Sequence, residues 1–317
     1  MVDDLAEQAG VSVEILETLS SDLPAGAGQL YRRRIHRKKH GGIREVFEPK
    51  QPFGAINKNL NRSFTSLLSY EAPDHVHGFV RGRSTISNAS QHLAKKCVLR
   101  MDLEDFFPSI DAATIKTSLH DQGYEGKATD LAVNLVTIGG KLPIGLSTSP
   151  FLSNLAFLST DHTLAEYAQS EGLSFTRYVD DLTFSGDVTD RHSADIARIL
   201  DDAGWSVNTR KTAFMRRGGP QYVTGLYVGE SAGPRIPRKI KRKMRWISHV
   251  ISRFGYETYM EEFGGEDERM HRRRLLGWAC YIAAVEPDVG YPLLREFENL
   301  VPIPEWEWDE EDLHDLL

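Results

Sequence analysis

The chain has 317 residues, 40% of them hydrophobic and 26% charged, with a formal net charge of −7. Such a length supports a sizeable core and two or three subdomains, and the composition is that of a soluble globular protein. No run approaches the roughly 18 apolar residues of a membrane span, and Met1 to Gly10 carries acids, so a cytoplasmic protein with no membrane partner is expected. Cys97 and Cys280 stand far apart in apolar settings, which fits neither a zinc spacing nor a disulfide framework. The negative total hides basic clusters at Arg32 to Lys39, Arg235 to Arg245 and Arg269 to Arg274, beside an acidic end that begins at Glu305. Clusters of that kind neutralise phosphates locally whatever the overall charge.

Residues 3–20 place Leu5, Ala6, Ala9, Val13, Leu16 and Leu19 at helical spacing. A helical leader is expected rather than a DNA-reading pair of helices, because Glu14 and Glu17 would repel phosphate. A linker follows at Leu23 to Gly28. Arg34 to Pro49 then reads as a hairpin around Gly41 and Gly42, its cations forming either a phosphate-gripping flap or a solvated edge. Ile56, Leu60, Phe64, Leu67 and Leu68 predict a helix. His77 to Thr85 interleaves glycines with Arg81 and Arg83, a pattern suited to a nucleic-acid backbone. Asn88 to His92 falls on a helix, where its polar side chains are core or capping groups.

Cys97 to Leu103 predicts a buried strand ending in Asp102, an acid that is costly to desolvate unless it binds something. Ala112 to Ile138 reads as scaffold helices, Gly139 to Gly145 as a loop and Phe151 to Ala168 as a strongly apolar helix. Phe175 to Ser185 reads as a hairpin whose tight turn presents Asp180 and Asp181, where Asn-Gly or Asp-Gly would be usual. After it come a helix from Arg191 to Ala203 with Ile196, Ile199 and Leu200 inward, one strand from Gln221 to Val228, and a basic helical tail from Arg235. A strand laid beside the hairpin would bring Asp102, Asp180 and Asp181 together. Oxygen-only ligands suit a hard cation such as magnesium, and two such ions can drive an in-line displacement at phosphorus.

In this order the blocks resemble the reverse transcriptases over about residues 31–245: Tyr178 to Asp181 (YVDD), Asp102 to Phe107 (DLEDFF), Gly145 to Pro150 (GLSTSP) and Trp205 to Lys211 (WSVNTRK). Asn88 to His92 (NASQH) and Val223 to Gly225 (VTG) are similar to markers of the bacterial retron group, and the short chain without a nuclease domain suits it. The resemblance implies an α+β right-hand polymerase with fingers, a palm of antiparallel sheet backed by helices, and a small helical thumb. It divides the chain into a leader at 1–30, fingers and palm at 31–235 (fingers mainly 31–95 and 112–145), and a thumb with an acidic tail at 236–317.

It also implies an RNA-directed DNA polymerase that primes from a guanosine 2′-hydroxyl and makes branched multicopy single-stranded DNA in defence against phage. Its partners would be a cognate structured noncoding RNA serving as template and primer, dNTPs, the RNA–DNA hybrid product and an associated effector protein. Asp102, Asp180 and Asp181, with the Leu103 carbonyl, would hold two Mg2+ ions. Lys38, Lys39, Arg44 and Gly145 would meet the incoming nucleotide, and Phe107 would be a gate against its 2′-hydroxyl. Arg81, Arg83, Arg238, Lys239, Lys241, Arg242 and Lys243 would grip RNA. Ile144 departs from the pattern, since many relatives carry Gln there. The alternatives are another bacterial class of reverse transcriptase, diversity-generating or abortive-infection, and a catalytically idle RNA-binding scaffold.

Overall fold

The computed structural model describes residues 2–22, 30–37, 41–264 and 267–301. The leader forms α1 (Val2–Ala9) and α2 (Val13–Asp22). Its buried Leu5, Ala6, Ala9 and Leu16 join the main core, where the pair docks on α3 (Phe53–Leu67) and on a helix at Gly126–Val136. β1 (Tyr31–Arg37) and β2 (Ile43–Pro49) pair antiparallel, with Arg37 opposite Ile43. Ion pairs between Arg33 and Glu45 and between Arg34 and Glu48 cross this hairpin. They spend two of its cations on its own second strand.

α4 (Thr85–Ser90) precedes the central strand β3 (Cys97–Asp102). Then come α5 (Phe106–Ser109), α6 (Ala112–His120), α7 (Gly126–Val136) and the long α8 (Ser149–Ser170). β4 (Ser174–Tyr178), β5 (Asp181–Gly186), α9 (Asp190–Asp202) and β6 (Ala213–Arg216) complete the unit. The four strands run antiparallel in the order β4-β5-β3-β6. Alternate strand residues face opposite sides. Leu99, Met101, Leu182 and Phe184 therefore share one face, buried in one cluster with Phe157 and Leu164 of α8 and Ile196 and Leu200 of α9. Each such side chain contributes on the order of 2 kcal/mol on burial, and together they fix the strand register. Slipping β3 by one residue would put Asp102 into that core.

The expected single strand from Gln221 to Val228 is instead a small hairpin, β7 (Tyr222–Val223) and β8 (Leu226–Tyr227). Thr224 and Gly225 both take positive φ, 46° and 81°, which turns the chain where a strand would continue. Beyond it α10 (Arg238–Phe254), α11 (Tyr256–Tyr259), a π-helical turn (Met260–Gly264), α12 (Glu268–Val285) and α13 (Pro287–Leu300) pack together. Their core is a second buried cluster, built on Met244, Ile247, Ile251, Leu275, Ala279, Ile282 and Phe297. It also takes in Val223 and Leu226 of the small hairpin, with Ala89 and Val98 beneath. Among the described residues no helix is long and apolar enough to cross a membrane.

Candidate active site

Tyr178 pairs with Asp181, so Val179 and Asp180 alone connect β4 to β5. Val179 has φ of 63°, and a β-branched residue in that region carries strain on the order of 1–3 kcal/mol. Arg177 holds it there. Its Nη1 donates to the Val179 carbonyl at 3.0 Å and to Asn154 Oδ1 at 3.1 Å, while Nε and Nη2 donate to Asp161 at 2.7 and 2.5 Å. The guanidinium lies 4.7 Å from the Phe157 ring centroid, and the side chains of Arg177 and Asp161 are both 0% exposed.

The turn is clamped from its other side by residues 75–78, which run along β4: the His77 N–H donates to the Arg177 carbonyl at 2.8 Å. Gly78 lies so close that a Cβ there would come within 2.4 Å of the Val179 nitrogen. Its carbonyl accepts from Asn154 Nδ2 at 3.0 Å. Arg177, Asp161 and Asn154 were not singled out by the sequence reasoning. A usable signal existed, because Asn154 and Asp161 stand seven residues apart, two helical turns, on the face of α8 that also buries Leu164 and Phe157.

β3 delivers the third acid. Asp102 lies directly opposite Asp181, and the Leu103 N–H donates to the Asp180 carbonyl at 3.0 Å. Both Asp102 oxygens accept from Lys211 Nζ, at 3.0 and 2.7 Å. The chain after α9 puts Lys211 there by tying itself to the end of β3: the Asn208 N–H donates to the Asp102 carbonyl at 2.7 Å, and Val207 bridges Leu103. Burial pushes the Asp181 carboxyl up to about 7 against the pull of Arg100, with Asp180 and Asp102 adding to the rise. Asp180 is raised too, by burial first and then by Asp102.

Among the described residues no three acid or imidazole side chains converge closely enough to enclose an ion. The expected cluster is thus aligned by backbone register but open, with Asp102 turned onto the Lys211 ammonium. The donor set still suits a hard cation: it is all carboxylate, and Asp181 Oδ1 is buried without a hydrogen-bond partner, an acceptor that a cation would satisfy.

Phe107 is half-buried, edge-on to Phe106 with centroids 5.6 Å apart and to Phe79 at 6.2 Å. Phe79 is itself 52% exposed with φ of 60°, another bulky residue in a strained conformation, next in the chain to the glycine that packs on Val179. Gly145 has φ of 116°, and a Cβ would meet the Phe47 carbonyl oxygen at 2.4 Å. That glycine has a structural reason to be there, since it lets β2 close on the loop, where the Phe47 N–H donates to the Ile144 carbonyl at 2.8 Å.

The reverse transcriptase (RNA-dependent DNA polymerase) family matches residues 36–264. The Mx65 retron reverse transcriptase of Myxococcus xanthus is 33% identical over 314 residues, spanning 92% of this chain and 70% of that protein. The chain belongs to the retron reverse transcriptases. The Ec86 retron reverse transcriptase of Escherichia coli is 28% identical over 90% of both chains, and the Se72 enzyme of Salmonella heidelberg 27% over 83% of this chain and 70% of its own. Among solved structures, telomerase from Candida albicans with a TWJ fragment of telomeric RNA is similar at a TM-score of 0.46 and 12% identity. That likeness covers 87% of this chain and 61% of the telomerase.

This reverse transcriptase is an RNA-directed DNA polymerase with the right-hand architecture of its family, a family that uses divalent metal ions. Of its expected nucleotide contacts, Arg44 is exposed on β2 and its charge acts on Asp180, whereas Lys38 and Lys39 lie outside the described residues, as does the acidic end from Glu305. Two of the residues expected to contact RNA are engaged within the protein. Arg83 is spent locally, its Nη1 donating to the Pro73 carbonyl and, at 2.5 Å, to the Val76 carbonyl, and its Nη2 to the Ala72 carbonyl at 3.1 Å. Lys241 pairs with Glu286 at 2.7 Å, with both side chains largely buried. Arg81, Arg238, Lys239, Arg242 and Lys243 are exposed.

Proposed function

We propose that this reverse transcriptase copies part of a cognate structured noncoding RNA, starting from a guanosine 2′-hydroxyl, to make branched multicopy single-stranded DNA in defence against phage. The observation that carries this reading is the retron identity of its relatives over nine-tenths of the chain. The two subgroup markers lend support by meeting in space. His92 bridges Ser185 Oγ at 2.6 Å and Thr176 Oγ1 at 2.8 Å, while Thr224 Oγ1 donates to the Thr85 carbonyl at 3.0 Å. Both marker segments thus brace α4 against the sheet and the small hairpin. Burial lowers His92 to about 3, so it serves as a neutral strut.

In this reading Asp102, Asp180, Asp181 and the Leu103 carbonyl would hold two Mg2+ ions, which would supply polarisation of the attacking hydroxyl and charge stabilisation at the leaving pyrophosphate. Lys211 balances the charge of Asp102 and would have to yield at least one of its oxygens to a bound ion. Arg44, with Lys38 and Lys39, meets the triphosphate. In this reading the leader, fingers and palm end near residue 235, just before α10, and the second buried cluster reaches back across that point to Val223, Val98 and Ala89.

Deep sequencing and a debranching assay on nucleic acid from expressing cells test the priming claim. DNA released from its RNA only by a 2′,5′-debranching activity is expected, and DNA with a free 5′ end would sink it. Fewer plaques than in cells bearing an inactive copy are expected on phage challenge.

In the same reading Phe107 reads the sugar of the incoming nucleotide. Phe107→Val should raise ribonucleotide use relative to deoxyribonucleotide use by about 10–200-fold, the range for one packing contact in a pocket. Single-nucleotide incorporation measures it, and unchanged sugar selectivity would put the gate elsewhere.

The exposed cations of α10 form the RNA-gripping face, following shape and phosphates along an A-form stem. Charge reversal at Lys239 and Arg242 should weaken RNA binding and lower the slope of log affinity against log salt by about one per lost contact. Filter binding across a salt series decides between this and a merely solvated helix face, for which the slope would not move.

A further inference from the structure

Val98, Arg100 and Asp102 alternate along β3, so they share one face of the sheet. Val98 is sealed under the C-terminal cluster with Ala89, Val223 and Leu226. Arg100 is where that face emerges toward the acids, and its side chain is 40% exposed. Its one charged partner among the described residues is Asp181, with Nε 3.9 Å from Oδ1, beyond hydrogen-bond distance. Across from it stand Thr183 on β5 and Ala213 on β6. The contrast with the other arginines is plain. Arg177 and Arg83 give their donors to carbonyls and carboxylates, whereas the Arg100 guanidinium holds five donors beside the reacting centre with no acceptor at bonding distance among the described residues.

A planar fork of donors matches a phosphate. Its closeness to Asp181 restricts which phosphate. Apart from the incoming triphosphate, assigned above to Arg44, Lys38 and Lys39, an ordinary strand end offers no phosphodiester on the carbon adjoining its reacting hydroxyl, because that hydroxyl is the end. A nucleotide that reacts through its 2′-hydroxyl keeps a phosphodiester on the neighbouring 3′-oxygen of the same ribose.

We propose that Arg100 grips the 3′-phosphodiester of the priming nucleotide, next to the 2′-hydroxyl presented to Asp180 and Asp181. This deepens the reading above and rests on its assignment of 2′-priming and of the three acids. Arg100 is a positioning residue in this scheme. It orients the ribose so that the 2′-oxygen, not a strand end, faces the carboxylates.

The test has two arms. In metal-free binding, the wild-type protein meets the cognate RNA either continuous through the priming guanosine or nicked so that this guanosine ends in a free 3′-hydroxyl. Wild type should prefer the continuous RNA by about tenfold, the scale of one charge-assisted contact. Arg100→Met should lose the preference, and Arg100→Lys should restore part of it. In synthesis, Arg100→Met should lower the ratio of RNA-primed initiation to extension of an annealed 3′-hydroxyl DNA primer at least tenfold. An unchanged ratio, or equal binding of the two RNAs by wild type, overturns the proposal. A shift only in the metal concentration needed for synthesis overturns it too, and makes Arg100 a counter-ion of Asp181. If wild type yields no branched product, the priming reading has failed and this proposal falls with it, whereas branched product with an unchanged Arg100→Met ratio overturns the Arg100 assignment alone.

Discussion

Asp180→Asn and Asp181→Asn enzymes should make no measurable DNA, a loss on the order of 10³-fold or more, as expected when several kcal/mol of charge stabilisation at the reacting phosphate disappears. Affinity for the cognate RNA should stay within about twofold, because the exposed cations lie elsewhere on the molecule. Folding offers a second readout with the opposite sign. Asp181 is raised to about 7 by burial, with the neighbouring acids adding to the rise. A carboxyl raised in the folded state favours folding fully only below its unfolded value near 4, and that contribution is lost as pH climbs through 7. Metal-free Asp181→Asn should therefore melt higher than wild type at pH 8, by about 2–4 °C for each kcal/mol of relief, and equally at pH 4. Full DNA synthesis by both variants would remove these residues from the chemistry. A variant that is inactive but melts lower at pH 8 would trace the loss to folding instead.

Breaking the buried pair under the turn should be the most destabilising single change in the palm. Arg177→Met leaves Asp161 charged and fully buried, and Asp161→Asn leaves Arg177 short of an anion. Such orphans cost about 3–5 kcal/mol, while replacing both partners by apolar groups is often neutral. Chemical denaturation should show each single variant falling by that amount and the double variant Arg177→Met/Asp161→Leu recovering most of it. Activity should not recover, because the Val179 carbonyl has lost the donor that holds its strained turn. Single variants within 1 kcal/mol of wild type would mean that the turn is held by the Gly78 side alone.

Much of this was legible in one dimension. A buried-looking run ending in Asp102 and β-prone runs on either side of Asp180 and Asp181 located β3 and the hairpin, and block order linked acids that only a register could join. Partners far along the chain were not legible. Nothing local says that Arg83 is consumed by carbonyls of residues 72, 73 and 76, or that Lys241 turns inward onto Glu286. A cation in a sequence is only a charge; its neighbours decide whether it stays available. The same holds for Lys211, which was visible in its block, although its role depends on Asp102, 109 positions away. The strand that became a hairpin failed for a local reason, a Thr-Gly pair able to take positive φ inside a β-prone run.

The contact between Gly78 and Val179 makes two parts of the enzyme mechanically continuous. The residue after Gly78 is the exposed Phe79, and Arg81 follows at the tip of the same loop. A displacement of that loop would press on the peptide that precedes Asp180, since a Cβ at Gly78 would already come within 2.4 Å of the Val179 nitrogen. The position of the loop and the alignment of the carboxylates are thereby coupled through one close backbone contact.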